Sequence, residues 1–355
     1  MFREIGRRWR FGCGGDSASQ DDDAGMMAHA RHEVPWERVN SMAKVMHGVE
    51  IAAEIKAEVA GEVRALTEAG VTPGLTVVLV GHMAASEIYV RSKVKASGEL
   101  GIRSEMLTPK ESVTTDEMLA LIAELNAREE VDGILIQLPL PKHVDTRRLL
   151  EAVDPAKDVD GFHPVNAGRL QSGQPGLRPC TPAGIMEILR RSGLPVEGQH
   201  AVVLGRSDIV GKPVAMMLLH ENATVTVCHS KTVDIGRYTR DADILVAAIG
   251  RPGFVTAEMV KPGATLVDVG INRVTDAAEV ARFFPGDAER AAQFAKRGST
   301  LVGDIDPAAF GLAGAYTPVP GGVGALTIAM LMHNTVKAAK ARRGYAAGLA
   351  AAGKV

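Results

Sequence analysis

Apolar and polar positions alternate in two successive series, separated by an irregular stretch. Over VEIAAEIKAEVAGEVRALTEAG, residues 49–70, apolar positions recur with the helical period and the run ends on glycine, which predicts a helix. LTVVLVG is a short continuous apolar run and reads as a buried strand. A helix containing SEIYVRSKVK follows, then IRSEMLT as a strand. TTDEMLALIAELNARE opens on Thr114 and Thr115 as a third helix, and GILIQLPLP is another buried strand. This βαβαβ order implies a parallel sheet covered by helices. Residues 154–182 are dense in Gly, Pro and Asp and mark the crossing between two domains. Thr181-Pro182 then caps the helix AGIMEILRRSG, with proline at its first position. A second βα series runs through HAVVLG, ATVTVCHS, DILVAAIG and TLVDVGIN. Residues 276–300 interrupt it as a surface excursion, and a long helix, GALTIAMLMHNTVKAAKARR, closes the pattern.

Composition agrees with this α/β reading. The chain has 355 residues, enough for two domains, and is 46% apolar but only 4% aromatic. Small branched residues suit the buried strands of parallel sheets. A formal net charge of −2 gives no footprint of a nucleic-acid partner. No apolar run reaches a membrane span. Cys13, Cys180 and Cys228 lack metal or redox spacing, so no metal is expected and a reducing cytoplasm is the simplest setting. Residues 1–41 are polar and aperiodic, with two basic clusters, Asp21-Asp22-Asp23 and no signal-peptide core. They read as a disordered extension, or as the product of a start upstream of Met42.

Chemistry enters at Tyr89-x-x-x-Lys93. On a helical wheel these two share an arc with Ala96 and Leu100, while Glu87, Arg91, Lys95 and Glu99 point elsewhere. A lysine facing a packed or ligand-lined surface loses hydration, which favours its neutral, proton-accepting form. The alternative is a lysine snorkelling from the edge of a core helix. Gln137 ends a strand, where a side chain faces the crevice of an open α/β sheet. KDVDG, 157–161, puts Asp158 and Asp160 in an interdomain loop, and PVPGGVG, 318–324, is a glycine-rich loop before a helix. Each also has a plain structural use, as a cap, an Asx-turn or a hinge.

AVVLGRSDIVGKP, 201–213, turns from strand to helix through Gly205-Arg206-Ser207-x-x-x-Gly211. Such a turn lets backbone approach a pyrophosphate seated on the helix N-terminus. It departs from G-x-G-x-x-G, because Ser207 takes the second glycine's place and the third comes one residue late. The next strand ends CHSKT, with Ser230 and Lys231 and without the acid that binds a ribose 2′-hydroxyl. Arg206 and Ser230 therefore favour NADP over NAD. His229 reads as incidental. Tyr-x-x-x-Lys beside a nicotinamide fold also raises short-chain dehydrogenases, but there the glycine loop precedes the Tyr/Lys helix, and here Tyr89 lies ahead of Gly205. A non-catalytic NADP-sensing module remains the other alternative.

YVRSKVKASGELGI, DGILIQLPLP, KDVDGFHPVNAGRL, RPCTPAGI, VVLGRSDIVGKPVA, VDVGIN and YTPVPGGVG, in that order, closely resemble the bifunctional methylenetetrahydrofolate dehydrogenase/cyclohydrolase family, from about Met42 to residue 340. The resemblance implies a two-domain α/β homodimer that oxidises 5,10-methylenetetrahydrofolate with NADP and hydrolyses the methenyl product to 10-formyltetrahydrofolate. It implies a catalytic domain over 42–160 completed by 322–343, and a Rossmann-like domain over 161–321. By motif, Tyr89 stacks on the folate, Lys93 serves the cyclohydrolase step, Gln137 holds Lys93, and Asp160 binds the pterin's amino edge. Gly205, Arg206, Ser207, Ser230 and Ile271 match the NADP contacts. Three departures stand out. The N-terminal extension and the 276–300 excursion are expected to touch no motif. Ala325-Leu326 replace the usual Pro-Met after PVPGGVG, which is expected to bear on substrate affinity.

Overall fold

The computed structural model describes residues 43–82 and 84–345; the extension expected over 1–41 lies outside them. In chain order the elements are β1 (Lys44–Val45), α1 (Gly48–Glu68), β2 (Gly74–Val78), α2 (Ala84–Glu99), β3 (Arg103–Leu107), α3 (Thr115–Ala127), β4 (Gly133–Ile136), α4 (Thr146–Ala152), α5 (Pro164–Gln171) and α6 (Cys180–Arg191). Then come β5 (His200–Leu204), α7 (Gly211–His220), β6 (Thr224–Cys228), α8 (Ile235–Thr239), β7 (Ile244–Ala247) and β8 (Thr265–Asp268). The chain ends through β9 (Asn272–Val274), α9 (Ala277–Phe283), α10 (Ala288–Arg297), β10 (Thr300–Val302), β11 (Ala315–Tyr316) and α11 (Val323–Arg342).

Two parallel sheets result, as the alternating pattern predicts. The smaller has the order β3-β2-β4 and the larger β1-β11-β8-β7-β5-β6. The central strands are buried on both faces, which is why they read as unbroken apolar runs. The edge strands β1 and β11 have two residues each, too short to leave a periodic signal. β1 precedes α1 yet pairs with β11, so the described residues start in the larger sheet before crossing to the smaller one. A single apolar cluster joins both sheets through α1, α6 and α11, using Ile55, Val59, Ile185, Leu326 and Val336.

Some boundaries differ from expectation. Helix α6 starts at Cys180 behind Pro179, so Thr181 and Pro182 lie inside its first turn. Proline is tolerated there because first-turn amides have no intrahelical acceptor. The crossing stretch contains α5, hidden by its Gly and Pro content and capped by His163, whose Nδ1 accepts from Val165 N at 3.0 Å. The 276–300 excursion is α9 and α10 between the antiparallel strands β9 and β10, with its own cluster of Val280, Phe283 and Val302.

Candidate active site

Helix α2 buries the stripe carrying Val90, Lys93, Ala96 and Ser97. Arg91 and Lys95 lie outside it and make i,i+4 pairs with Glu87 and Glu99 in solvent. Lys93 is only 4% exposed. Its Nζ donates to Gln137 Oε1 at 3.0 Å and lies 4.7 Å from the centroid of the Tyr89 ring. A lysine can only donate, so this contact fixes which way the Gln137 amide faces. The amide's Nε2 then donates to Leu138 O at 2.7 Å. Gln137 sits one residue past β4, anchored by its own N–H to Val78 O at 2.9 Å. Burial, with the Asp160 charge nearby, pushes the Tyr89 phenol up to about 12 against a hydrogen bond with Thr327, so the ring stays neutral.

KDVDG divides its labour. Lys157 is fully buried and caps α3, donating to Leu125 O, Asn126 O and Arg128 O at 3.0, 2.8 and 2.7 Å. Asp158 accepts from Phe162 N, His163 N and Asn166 Nδ2, which closes an Asx-type turn. The first aspartate is thus structural. Asp160 is half-buried and faces the Lys93 charge. Burial pushes its carboxyl up to about 6; the Lys93 charge opposes that rise and Asp158 adds to it. Two groups absent from the sequence reading complete this wall. The Thr181 and Thr327 hydroxyls meet at 2.9 Å, and Asn334 Nδ2 donates to Val159 O and Arg178 O, both at 2.8 Å. The only sequence hint of Asn334 is one amide within an apolar helix.

Opposite Tyr89, the loop PVPGGVG lines a cavity of about 210 Å³ together with Ile271, Leu301 and Ala325. The loop packs on the start of α1, where Val49 N donates to Gly321 O at 3.2 Å. Gly48 is required there, since any Cβ would collide with Gly322 O. Ala325 lines the cavity, whereas Leu326 is fully buried against Gly184 of α6. Of the two departures from Pro-Met, only the first faces the site. The excursion does touch a motif, contrary to expectation: Arg290 Nη2 donates to Val319 O at 3.0 Å. Long-range docking of this kind leaves no local sequence pattern.

The second wall lies at the carboxyl ends of the larger sheet. Gly205 has φ of 116° and packs directly on Ala248 O, so the turn accepts no side chain there. Ser207 Oγ accepts from Val210 N and Gly211 N, each at 3.2 Å, capping α7. Its O–H stays available to a phosphate oxygen. Arg206 and Ser230 are exposed beside it, and Ile271 is 60% exposed at the cavity. His229 Nδ1 accepts from Lys231 N at 3.1 Å within its own turn. Amides, hydroxyls and a cation, with no carboxylate at the end of β6, fit a dinucleotide carrying a 2′-phosphate. A buried acid pair supports this wall. Asp304 accepts from Ile249 N, Gly250 N, Arg251 N and Asn272 Nδ2, at 2.7 to 2.9 Å. Asp268 accepts from Gly270 N, Asp304 N and Ile305 N, and burial pushes it up to about 7.

The model for the tetrahydrofolate dehydrogenase/cyclohydrolase catalytic domain matches residues 46–160, and the model for the NAD(P)-binding domain of the same enzymes matches 179–343. The bifunctional protein FolD of Koribacter versatilis is 65% identical over 303 residues, covering 85% of this chain and 99% of the relative. That of Solibacter usitatus is 59% identical over 304 residues, with coverage of 85% and 99%. Among solved structures, the FolD enzyme of Campylobacter jejuni has a TM-score of 0.77 at 43% identity, covering 84% of this chain and 99% of its own. The Trypanosoma brucei enzyme, complexed with NADP cofactor and inhibitor, has a TM-score of 0.76 at 38% identity, covering 86% and 99%.

Proposed function

The chain belongs to the tetrahydrofolate dehydrogenase/cyclohydrolase family, and from that premise we infer that it oxidises 5,10-methylenetetrahydrofolate with NADP and hydrolyses the methenyl product to 10-formyltetrahydrofolate. The observation that carries this reading is Lys93 Nζ, buried, 3.0 Å from Gln137 Oε1 and beside the Tyr89 ring.

NADP, when bound, accepts the hydride from the substrate's methylene carbon. That carbon lies between two nitrogens, so the cation left behind is self-stabilised and the protein's task in this step is positioning. Tyr89 supplies a neutral ring for the folate to stack on, and Asp160 accepts hydrogen bonds from the pterin's amino edge. In the second step water adds to the methenyl carbon and gives up one proton, for which Lys93 Nζ in its uncharged form is the acceptor. The hydroxyl left on that carbon then loses its proton as the carbon–N5 bond opens, N5 takes up one proton, and one proton is released overall. Gln137 keeps Nζ aimed at the water. On the cofactor side, Arg206 and Ser230 meet the 2′-phosphate, Gly205 and Ser207 border the pyrophosphate, and Ile271 flanks the nicotinamide.

The catalytic domain comprises residues 42–160, except that β1 pairs into the cofactor sheet, and is completed by 322–343, because α11 packs along α1 and carries Thr327 and Asn334 into the site; residues 161–321 form the cofactor domain. We place the enzyme in the cytoplasm, on the absence of metal or redox cysteine spacing, and as a homodimer, which the open edge of β6 with its exposed Val227 and the exposed Val233 support. No helix among the described residues is long and apolar enough to cross a membrane.

A coupled assay tests the whole reading. Methylenetetrahydrofolate and NADP are supplied, and NADPH and the methenyl absorbance are followed together. NADPH should rise while methenyl absorbance stays low. Methenyl accumulating in step with NADPH would mark a monofunctional dehydrogenase. No NADPH would overturn the assignment.

A further inference from the structure

The α9–α10 excursion reaches the folate wall through one side chain. Arg290 sits in the first turn of α10, where its own N–H is capped by Asp287 Oδ1 at 2.9 Å. Its guanidinium lies 4.2 Å from the centroid of the Phe284 ring, which fixes the plane of the fork. From there Nη1 donates to Leu301 O at 3.0 Å and Thr300 Oγ1 at 3.3 Å, and Nη2 donates to Val319 O at 3.0 Å. Leu301 and Pro320, the residues at or beside the two carbonyls, both line the cavity that holds Tyr89 and Ile271. They also form the wall between it and a second cavity of about 420 Å³ on the Arg290 side.

The loop around Val319 has no ladder to satisfy its carbonyls, so their donors must come from outside it. Two partners reach it: the start of α1, through Val49 N to Gly321 O, and Arg290. The first lies in the main βα framework of the fold, the second in the excursion. The excursion is itself seated on the cofactor domain, where Phe283 packs on Gly253. One guanidinium thereby ties strand β10 to the loop that lines the Tyr89 cavity.

We propose that Arg290 is a positioning residue for the folate: it fixes the Val319–Gly322 segment against Leu301, so that the excursion sets substrate affinity while leaving the chemistry and the cofactor alone. This deepens the proposed function and rests on that reading. Arg290→Ala removes the bond to Val319 O and both bonds to β10. Arg290→Lys keeps a cation that can reach one carbonyl but loses the fork.

Steady-state kinetics of parent, R290A and R290K provide the test, alongside thermal melts and titration of each protein with tetrahydrofolate. R290A should raise KM for methylenetetrahydrofolate about tenfold, with kcat and KM for NADP within about twofold. R290K should fall between parent and R290A. An unchanged folate KM in R290A overturns the proposal. So does an equal rise in both KM values together with a lowered Tm, which would make Arg290 a support of the fold. If R290A does not fold, the same criteria are applied to R290K. A parent that forms no NADPH would sink the enzymatic reading, but the tetrahydrofolate titration would still read the Arg290 effect, since it needs no turnover.

Discussion

Lys93, 4% exposed and aimed by one amide, contrasts with an arginine and a serine that stand open to solvent at the glycine turn and the end of β6, Arg206 and Ser230. On the folate wall Lys93 and the structural pair Lys157 and Asp158 are buried charged side chains, and Asp160 is half-buried. The cofactor wall uses backbone at Gly205 and Ser207, with exposed side chains reaching outward. Burial holds a side chain in one geometry away from bulk water, whereas exposure keeps a group charged and cheap to place. In the proposed function the first wall would carry the chemistry and the second the recognition of a multiply charged cofactor.

The strongest way to break this contrast is Lys93→Met. It should lower cyclohydrolase activity by about 10²–10⁴ while the dehydrogenase step survives, as removing a proton-transfer group does. Decay of added methenyltetrahydrofolate at the parental rate would remove Lys93 from the mechanism. Next in size is Asp160→Ala, which should reduce kcat/KM for the folate about a hundredfold, as for two lost charge-assisted bonds. Calorimetry should find NADP affinity nearly unchanged; an equal loss there would mean that Asp160 supports the fold. On the opposite wall, Arg206→Ala should weaken NADP about tenfold to a hundredfold and leave NAD little changed. If kcat/KM for both cofactors falls alike, Arg206 is holding the Gly205–Gly211 turn and not reading the phosphate.

The smallest effect sharpens the contrast by pH. Asp160 is raised to about 6, so in the folded enzyme it gains a proton as pH falls through 6 and stops accepting from the pterin. Folate kcat/KM at saturating NADP should drop about fourfold from pH 7 to 5.5. Asp160→Asn should flatten that component; Asp268, raised to about 7 in the cofactor wall, is left intact by the substitution. A profile unchanged in Asp160→Asn would assign the titration elsewhere. For stability the sign is opposite. Asp160 protonates in the folded state before it does in the unfolded chain, so this group's contribution favours folding as pH falls from about 6 toward 3.8.

Much of the folate wall was legible because helical periodicity shows directly which face a residue occupies: Lys93 breaks an apolar arc that Arg91 and Lys95 avoid. The glycine turn was legible because backbone geometry restricts the residue type. Long-range polar contacts were not. Asn334, Thr327 and Arg290 reach partners on distant segments, and Asp304 gathers amides from two loops, so no local spacing marks them. Two-residue strands and the eight-residue α5, set in a Gly- and Pro-dense stretch, likewise fall below what a period can signal.

The Asn334 amide has a topological consequence. By donating to both Val159 O and Arg178 O it pins together the two ends of the segment that carries α5. Between those points the chain is a closed loop hung from helix α11, with Asp160 beside the knot and not out along the span. Closing entropy grows only slowly with length, by about 0.6 kcal/mol per doubling. The outer part of that loop, around Gln171–Gly176, is therefore free to lengthen, shorten or change sequence without moving the Asp160 carboxylate. Variation among related chains should collect there, and grafted epitopes or tags should be accepted there, while Asn334 is constrained by the two carbonyls that its short amide reaches at once.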